Sequence, residues 1–352
     1  MRKGAAAAGC VAFIATAAVS CGTVANLSAG AKVQQAFAKL GEQKAMTMTV
    51  GFDGTEAQIW SALKGEDDFT HDNAKMLADL DVSMSVSSDQ VLTKAKDGSV
   101  AVTVSTGGDT SLLEVRSLNG RKLYVKADLK QLMTLGASAG DAESKADLKE
   151  FQSMLDQADK LPSSYKSVKN LLGGKWVSID PDSFGEFAKE FGGSDTGTGT
   201  STDALDPKTQ QAIVKAVAKA IGSNATFKDA GSKNGADHVT VTVPAAKTAD
   251  AIAKALKPYK DDLPDGFDPA DLKDVPKKNI TLDVALKDGA LSGITVDVAQ
   301  FDKGVKGRLP LTIGFGADAK PVRAPAGATV LNPQDIMGAM MALMTDSGSA
   351  PS

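Results

Sequence analysis

Residues 279–298 read NITLDVALKDGALSGITVDV, a pattern that predicts two paired β-strands. Apolar and polar residues alternate along Ile280–Leu286 and again along Leu291–Val298, so each strand has one packed and one solvated face. The two runs are separated by Asp288-Gly289, residues typical of a tight hairpin turn. A third apolar run, Leu309–Phe315, follows, and together the three runs predict an antiparallel meander.

A second set of alternating runs lies in the N-terminal half of the chain. Strands are predicted at 46–52, 80–86, 100–104, 112–118 and 123–125. Asn119-Gly120 separates the last two runs and predicts a hairpin, and Asp97-Gly98 is predicted to form another hairpin turn just before the third run. This half of the chain is therefore predicted to form its own antiparallel meander.

Helical spacing of apolar residues marks other segments of the chain. Helices are predicted at 33–40, 58–63, 128–161, 213–221 and 248–256. Because these helices are grouped and do not follow each strand in turn, we expect an α+β fold. The same order argues against the parallel α/β folds that bind nucleotides.

The composition argues against several functional classes. Acidic residues outnumber basic ones by 43 to 39, which gives a net charge of −4. A nucleic-acid-binding protein needs a basic surface, so we expect no nucleic-acid partner. The chain has two His and two Cys, which argues against a zinc or copper site with several ligands. We therefore expect no cofactor and no metal.

The N-terminal residues predict export and a lipid anchor. Arg2 and Lys3 precede an apolar run of small residues, 4–19, as in a secretory signal peptide. Ala18-Val19-Ser20-Cys21 resembles the bacterial lipobox, in which the cysteine is acylated and becomes the new N-terminus. Cys10 lies within the predicted signal peptide, which leaves Cys21 as the sole cysteine of the mature chain. The alternative is an ordinary secretory peptide with an incidental Cys21.

These patterns predict a division of the chain into segments. They are a lipoprotein signal peptide at 1–20, a lipid-anchored tether at 21–32, a single α+β domain at 33–345 and a disordered tail at 346–352. Within the domain, the low-complexity segment 192–203 is predicted to be a mobile loop. We expect the mature protein at the outer, extracytoplasmic face of the cell membrane, where acyl chains on its N-terminal cysteine hold it.

A methionine stripe marks the predicted helix after Asn332-Pro333. The methionines recur at i, i+3, i+4 and i+7 of this helix, at Met337, Met340, Met341 and Met344. One interpretation is a helix that closes the core. The other is an adaptable apolar surface near a lipid site, because methionine is flexible and polarizable.

One catalytic pattern occurs, Gly136-Ala137-Ser138-Ala139-Gly140, which has the form GxSxG. In hydrolases this motif forms a strained turn between a strand and a helix. The residues before Ser138 are predicted to be helical, so a Gly/Ala/Ser connector is the favoured interpretation. A serine hydrolase that uses Ser138 remains as a distant alternative, and we expect no enzyme.

Several landmarks occur together in a distinctive order. They are the lipobox at Cys21, NGRKLYVK at Asn119–Lys126, GGKWVSID at Gly173–Asp180, DHVTVTVP at Asp237–Pro244 and the meander at Asn279–Val298. In this order they resemble the LppX/LprG family of actinobacterial lipoproteins. The resemblance implies a curved antiparallel sheet, or half-barrel, that is wrapped over helices and encloses an apolar cavity.

The same resemblance implies a function without catalytic residues. Members bind acylated lipids or lipoglycans and help to carry them across the cell envelope, so the expected partners are the membrane, a hydrophobic lipid ligand and a transporter of the envelope. Alternation nominates inward positions as candidates for the cavity: Met46, Met48, Val50, Val82, Met84 and Val86, together with Met337, Met340 and Met341. The alternative is an envelope interaction protein with the same fold and a filled core.

Overall fold

The structure is a computed structural model. It describes residues 28–347 except 67–68, 96, 108–109, 139–148, 150–151, 154, 159, 185–206, 264–267, 276, 303 and 317–318. The helices with defined bounds are α1 (Ala29–Gly41), α2 (Glu56–Leu63), α3 (His71–Asp79), α4 (Leu129–Ser138), α5 (Lys166–Leu172), α6 (Pro207–Gly222), α7 (Ala245–Leu256) and α8 (Pro333–Ser347). The strands are β1 (Ala45–Phe52), β2 (Leu80–Ser87), β3 (Ser99–Thr106), β4 (Thr110–Leu118), β5 (Lys122–Ala127), β6 (Val177–Ile179), β7 (Thr226–Lys233), β8 (Ala236–Pro244), β9 (Asn279–Lys287), β10 (Ala290–Asp297), β11 (Pro310–Gly316) and β12 (Thr329–Leu331).

The chain divides into two compact units that are discontinuous in sequence. The first unit contains the described residues of 1–54, 88–96 and 202–320, and the second contains those of 55–87, 97–201 and 321–352. Each unit has its own set of strands and helices and is described by itself. The single domain expected over 33–345 stays a prediction.

The first unit is built on an antiparallel sheet. Strands β7 to β11 form a meander in which each strand pairs with the next, and β1 adds to it by pairing antiparallel with β11. In that register Val50 lies opposite Ile313 and Met48 lies opposite Phe315. The meander confirms the strands predicted from 279 to 315, whereas the partner of β1 comes from a segment about 260 residues further along the chain.

The second unit contains the other meander. Strands β2 to β6 pair antiparallel in chain order, and β12 then pairs with β6 in parallel. Strand β12, which has three residues, was not predicted from the sequence. Leu331 of β12 is buried in a cluster with Val177 of β6 and Ala339 of α8, so this short strand closes the core of its unit.

Two of the predicted hairpin turns are confirmed and one is wrong. Asn119-Gly120 and Asp288-Gly289 all have positive φ angles, between 51° and 69°, as a two-residue hairpin turn requires. Asp97-Gly98 forms no such turn, because β2 ends at Ser87 and residues 88–98 connect it to β3. Within that connection the Leu92 N–H donates a hydrogen bond of 2.8 Å to the Gln43 carbonyl.

Side-chain caps determine where the first helices begin. The Ser28 hydroxyl accepts a hydrogen bond from the Ala31 N–H, so α1 begins at Ala29, inside the segment predicted as a tether. Helix α3 was not predicted, although Thr70 and Asn73 form a reciprocal capping box at its start. Asn is not the residue usually found at the third helical position of this motif, which explains why the sequence pattern was missed.

The α+β class is confirmed by these elements, with antiparallel meanders and grouped helices in both units. Helix α8 extends to Ser347, two residues into the segment predicted as a disordered tail. The signal peptide at 1–20, Cys21 and the loop at 192–203 lie outside the described residues, so the predictions for them are unchanged. The half-barrel and its cavity also stay predictions.

Candidate functional site

One face of the sheet in the first unit is apolar across five strands. A single row of paired residues crosses it: Val50, Ile313, Ile294, Val284 and Val239. Val239 and Val284 are buried, whereas the other three residues are only half-buried. In this row the apolar face is therefore well covered at β8 and β9 and less covered at β10, β11 and β1, whereas Leu291 of β10 and Met46 of β1 are buried.

Helix α1 explains the covered part of this face. Its buried side chains are Val33, Ala36 and Leu40, and it contacts β7, β9 and β10. Helix α7 contacts β8. Because a helix is about 10 Å wide, these two helices cover only part of a sheet whose strands lie about 4.8 Å apart.

The predicted residues of β1 share this apolar face. Met46 is 2% exposed, and Met48 and Val50 are half-buried. Alternation therefore places the three side chains on one face, as predicted. A contact between any of them and a ligand stays a prediction.

The sheet of the second unit also has an apolar face, and the residues at the centre of this face are partly exposed. One row consists of Met84, Val102, Val115, Val125 and Val177. The end residues are buried, with 8% exposure for Met84 and none for Val177, whereas the three valines between them are half-buried. The predicted residues Val82 and Val86 lie on the same face of β2 as Met84, and Val86 is buried. Part of the middle of this face is accessible at Val102 and Val115, whereas the half-buried Val125 also packs against the cluster around Val177.

A groove of about 340 Å³ lies in the second unit beside this apolar face. It is lined by Asp72, Asn73, Lys75, Met76 and Asp79 of α3, together with Thr106 of β3 and Leu135 of α4. Thr106 follows Val104 by two residues and shares its side of β3. The groove therefore combines apolar side chains with a charged rim.

The rim of the groove contains an ion pair within α3. The Lys75 ammonium lies 2.5 Å from the Asp79 carboxylate, one helical turn away. This hydrogen bond, together with the charge of Asp79, raises the pKa of Lys75 above its ordinary value. The lysine is therefore already paired, and the Asp72 carboxylate adds a negative charge to the same rim.

The described part of α8 contacts the core of its unit with a different face from the methionine stripe. The α8 side chains packed on that core are Ile336, Ala339 and Ala342. Met337 is half-buried, and Met341 is 66% exposed. The side chains of the other two methionines, Met340 and Met344, lie outside the described residues. The helix thus closes the core, as one interpretation predicted, but with a different face.

A close approach fixes how α8 packs. A Cβ atom added to Gly338 would lie 2.8 Å from the Oη and Cε1 atoms of Tyr165. Tyr165 packs against the same buried cluster that includes Ala339. Glycine at 338 therefore allows the tyrosine ring to lie directly against the helix backbone.

The described part of the GxSxG pattern, residues 136–138, is helical. Helix α4 runs through Ser138, so this serine ends a helix and does not lie in a turn between a strand and a helix. The His71 ring stacks on Trp60 with 4.0 Å between the ring centroids, and its Nδ1 lies 3.6 Å from Glu56 Oε1. The local structure at Ser138 therefore lacks the feature that activates a serine in this motif.

The second histidine occupies the polar face of the sheet in the first unit. His238 Nδ1 lies 2.8 Å from Asp283 Oδ2. The described residues contain no group of three or more His, Cys, Asp or Glu side chains placed to hold a metal ion. Within the same part of the chain, no helix is long and apolar enough to cross a membrane.

Sequence reasoning missed part of both apolar faces and the whole groove. The half-buried residues Ile294, Ile313 and Val102 alternate in the same way as the nominated positions, so their signal was present. The groove was missed because its wall is α3, the helix that was not predicted. Only the capping residues Thr70 and Asn73 indicated it.

Comparison with known proteins finds solved structures at low similarity. The crystal structure of Mycobacterium tuberculosis lipoprotein LppX matches 84% of this chain and 97% of that chain, with 11% sequence identity and a TM-score of 0.31. No family model matches the chain, and no curated protein matches it. This match agrees with the predicted resemblance, and at a TM-score of 0.31 it supports nothing beyond that agreement.

Proposed function

We propose that this chain is a lipid-anchored extracytoplasmic protein that binds an acylated, hydrophobic ligand and takes part in carrying lipid within the cell envelope. The observation that supports this most directly is the half-buried row Val102, Val115 and Val125 in the middle of an apolar sheet face. Three partly exposed valines side by side leave a strip of apolar surface that a ligand would cover.

The energetics of such a site favour a long apolar ligand. Removing apolar surface from water contributes about 25 cal/mol per Å², so an acyl chain laid along the strip binds with few polar contacts. Sites of this kind use a small number of polar groups to orient the ligand. The groove lined by Met76, Leu135 and Asp72 offers both kinds of surface in the same unit as the strip.

The residues proposed to contact the ligand follow from the two apolar faces. In addition to the half-buried strip, the candidates from alternation are Met46, Met48 and Val50 of β1 in the first unit and Val82, Met84 and Val86 of β2 in the second. The α8 methionines Met337, Met340 and Met341 are proposed from the sequence pattern alone. The bilayer, bound through acylated Cys21, and a transporter of the envelope are the proposed partners. The ligand is held in the protein while it leaves one membrane surface and before it reaches the next acceptor.

A matched pair of variants tests the binding face. Val102→Asn places an amide on the half-buried apolar face, and Thr103→Asn places the same group on the opposite face of β3, at another half-buried position. We expect Val102→Asn to lower the uptake of a pyrene-labelled fatty acid and Thr103→Asn to leave it unchanged. Circular dichroism of both variants controls for folding. Equal uptake by the two variants would contradict the proposed face.

The alternative function is that of an envelope interaction protein with a filled core, and the same experiment tests it. In that case the unmodified protein takes up no pyrene-labelled fatty acid at any concentration. The half-buried valines would then be covered by side chains of a protein partner.

A further inference from the structure

Helix α1 is placed diagonally on the sheet of the first unit. Near its N-terminus, a Cβ atom added to Gly30 would lie 3.1 Å from the Phe227 ring, and Lys32 Nζ lies 3.2 Å from Asp229 Oδ2. Near its C-terminus, Lys39 Nζ donates a hydrogen bond of 3.0 Å to the Asp288 carbonyl. The helix therefore starts at β7, the edge strand of the meander, and ends at the β9–β10 turn.

The contact between α1 and β7 is held by charge. The Asp229 carboxylate accepts hydrogen bonds from the Gly231 N–H, at 2.8 Å, and from the Lys32 ammonium. These two groups hold the pKa of Asp229 below its ordinary value. The N-terminal turn of α1 is thus fixed to the edge of the sheet.

The distance from Cys21 to this edge is limited by chain length. Residues 22–27 separate Cys21 from Ser28, the capping residue of α1. A chain covers at most about 3.5 Å per residue, so the Cα atoms of Cys21 and Ser28 are within about 25 Å of each other. Helix α1 has 13 residues, and at a rise of 1.5 Å per residue its C-terminal end is about 20 Å further away.

The segment beside the start of α1 carries no carboxylate before Asp229, whose charge is paired with Lys32. Residues 223–228, which connect α6 to β7 and begin that strand, read SNATFK and include no carboxylate. Ser223, Thr226 and Lys228 are exposed. The whole chain has a net charge of −4, so this surface is more compatible with anionic lipid headgroups than the average of the molecule.

We propose that the edge of the first unit formed by the N-terminal turn of α1 (28–32) and residues 223–228 is the surface that faces the bilayer. This inference rests on the proposed lipidation of Cys21. The partner is the lipid surface of the anchoring membrane itself. Because α1 lies over the apolar sheet face, this orientation brings the β7 end of that face to the bilayer and points the β9–β10 turn away from it.

Energy transfer to labelled vesicles tests the orientation in the full, acylated chain. The mature protein has no free thiol once Cys21 is acylated, so an added cysteine is a unique labelling site. Ser223→Cys lies on the proposed edge, and Lys44→Cys lies beyond the far end of α1, with both positions exposed in the same unit. The vesicles contain phosphatidylethanolamine, phosphatidylglycerol and a rhodamine-labelled lipid as the acceptor.

We expect energy transfer from position 223 to exceed that from position 44 by about twofold or more, because the length of α1 separates the two sites by about 20 Å. Equal transfer, or stronger transfer from position 44, would overturn the orientation. Failure of the protein to sediment with vesicles would overturn lipidation, and the orientation with it. Cys21→Ser, which cannot be acylated, is the reference for that second outcome.

A longer tether provides an independent check. Inserting 20 Gly and Ser residues after Gly22 removes the limit on distance without changing the first unit. We expect the difference between positions 223 and 44 to shrink, because flexible Gly/Ser chains allow many orientations. An unchanged difference would contradict the role of the short tether in setting the orientation.

Discussion

Gly338 has no side chain, and this allows Tyr165 to contact the backbone of α8. The Tyr165 ring lies against the backbone of α8 at this point, and a methyl group would overlap the ring at 2.8 Å. The neighbouring Ala339 is 1% exposed and belongs to the buried cluster of the second unit. A change at 338 is therefore transmitted directly to the core.

Gly338→Ala is expected to destabilise the protein. Forcing extra volume into a packed contact costs about 1–3 kcal/mol, which exceeds the gain in helix propensity from glycine to alanine. Urea unfolding measures the free energy of unfolding. Gly222→Ala is the matched control, since a Cβ at 222 would meet nothing within 4 Å. A Gly338→Ala protein that is as stable as the Gly222→Ala protein would contradict this packing.

At the scale of single elements, the sequence predicted strands better than helix boundaries. Alternation of apolar and polar residues located the three strands β9, β10 and β11, because each strand has one apolar face and shows no helical spacing. Helix α3 was missed because five of its nine residues are polar or charged and Ala74 is its one buried residue, so the segment resembles a polar connection. Strand β12 was missed because three residues do not make a pattern.

The Asp97-Gly98 prediction failed for a different physical reason. The dipeptide is compatible with a tight turn, but Leu92 is buried and its N–H is bonded to the Gln43 carbonyl. These contacts hold a longer connection between β2 and β3. Long-range contacts of this kind are not visible in a local pattern.

The capping box of α3 provides a prediction at the same scale. Thr70→Ala removes the hydroxyl that accepts a hydrogen bond from the Asn73 N–H, and we expect a loss of about 1 kcal/mol in the free energy of unfolding. Thr70→Ser keeps the hydroxyl and is expected to stay close to the unmodified protein. Urea unfolding of the three proteins checks this, and equal stability of the alanine and serine variants would refute the role of the cap.

At the scale of the whole molecule, composition and pattern were sufficient for the fold class and for the inward positions of several strands. The apolar face of β1 and β2 followed from alternation, since Met46, Met84 and Val86 are buried as inward positions should be. The sequence did not predict how much of the apolar sheet face in the first unit is covered, because that depends on where α1 lies on the sheet. Its position is set by contacts between residues nearly 200 positions apart, such as Lys32 and Asp229.

Met341 illustrates the limit of a periodic pattern. The methionine stripe correctly predicted a helix after Pro333, yet the residue that packs in the core is Ala339 and Met341 is 66% exposed. Periodicity shows which residues share a face of a helix. It does not show which of two apolar faces the rest of the unit will cover.

The most direct test of ligand binding is native mass spectrometry of a soluble form of the chain that begins at residue 22 and is produced in an actinobacterial host. The account predicts protein that carries lipid of a defined mass, which is lost on denaturation, because the half-buried apolar strip would bind acyl chains during synthesis. Protein that is empty and also takes up no added lipid would contradict the account. The apolar faces would then serve contacts with a protein partner.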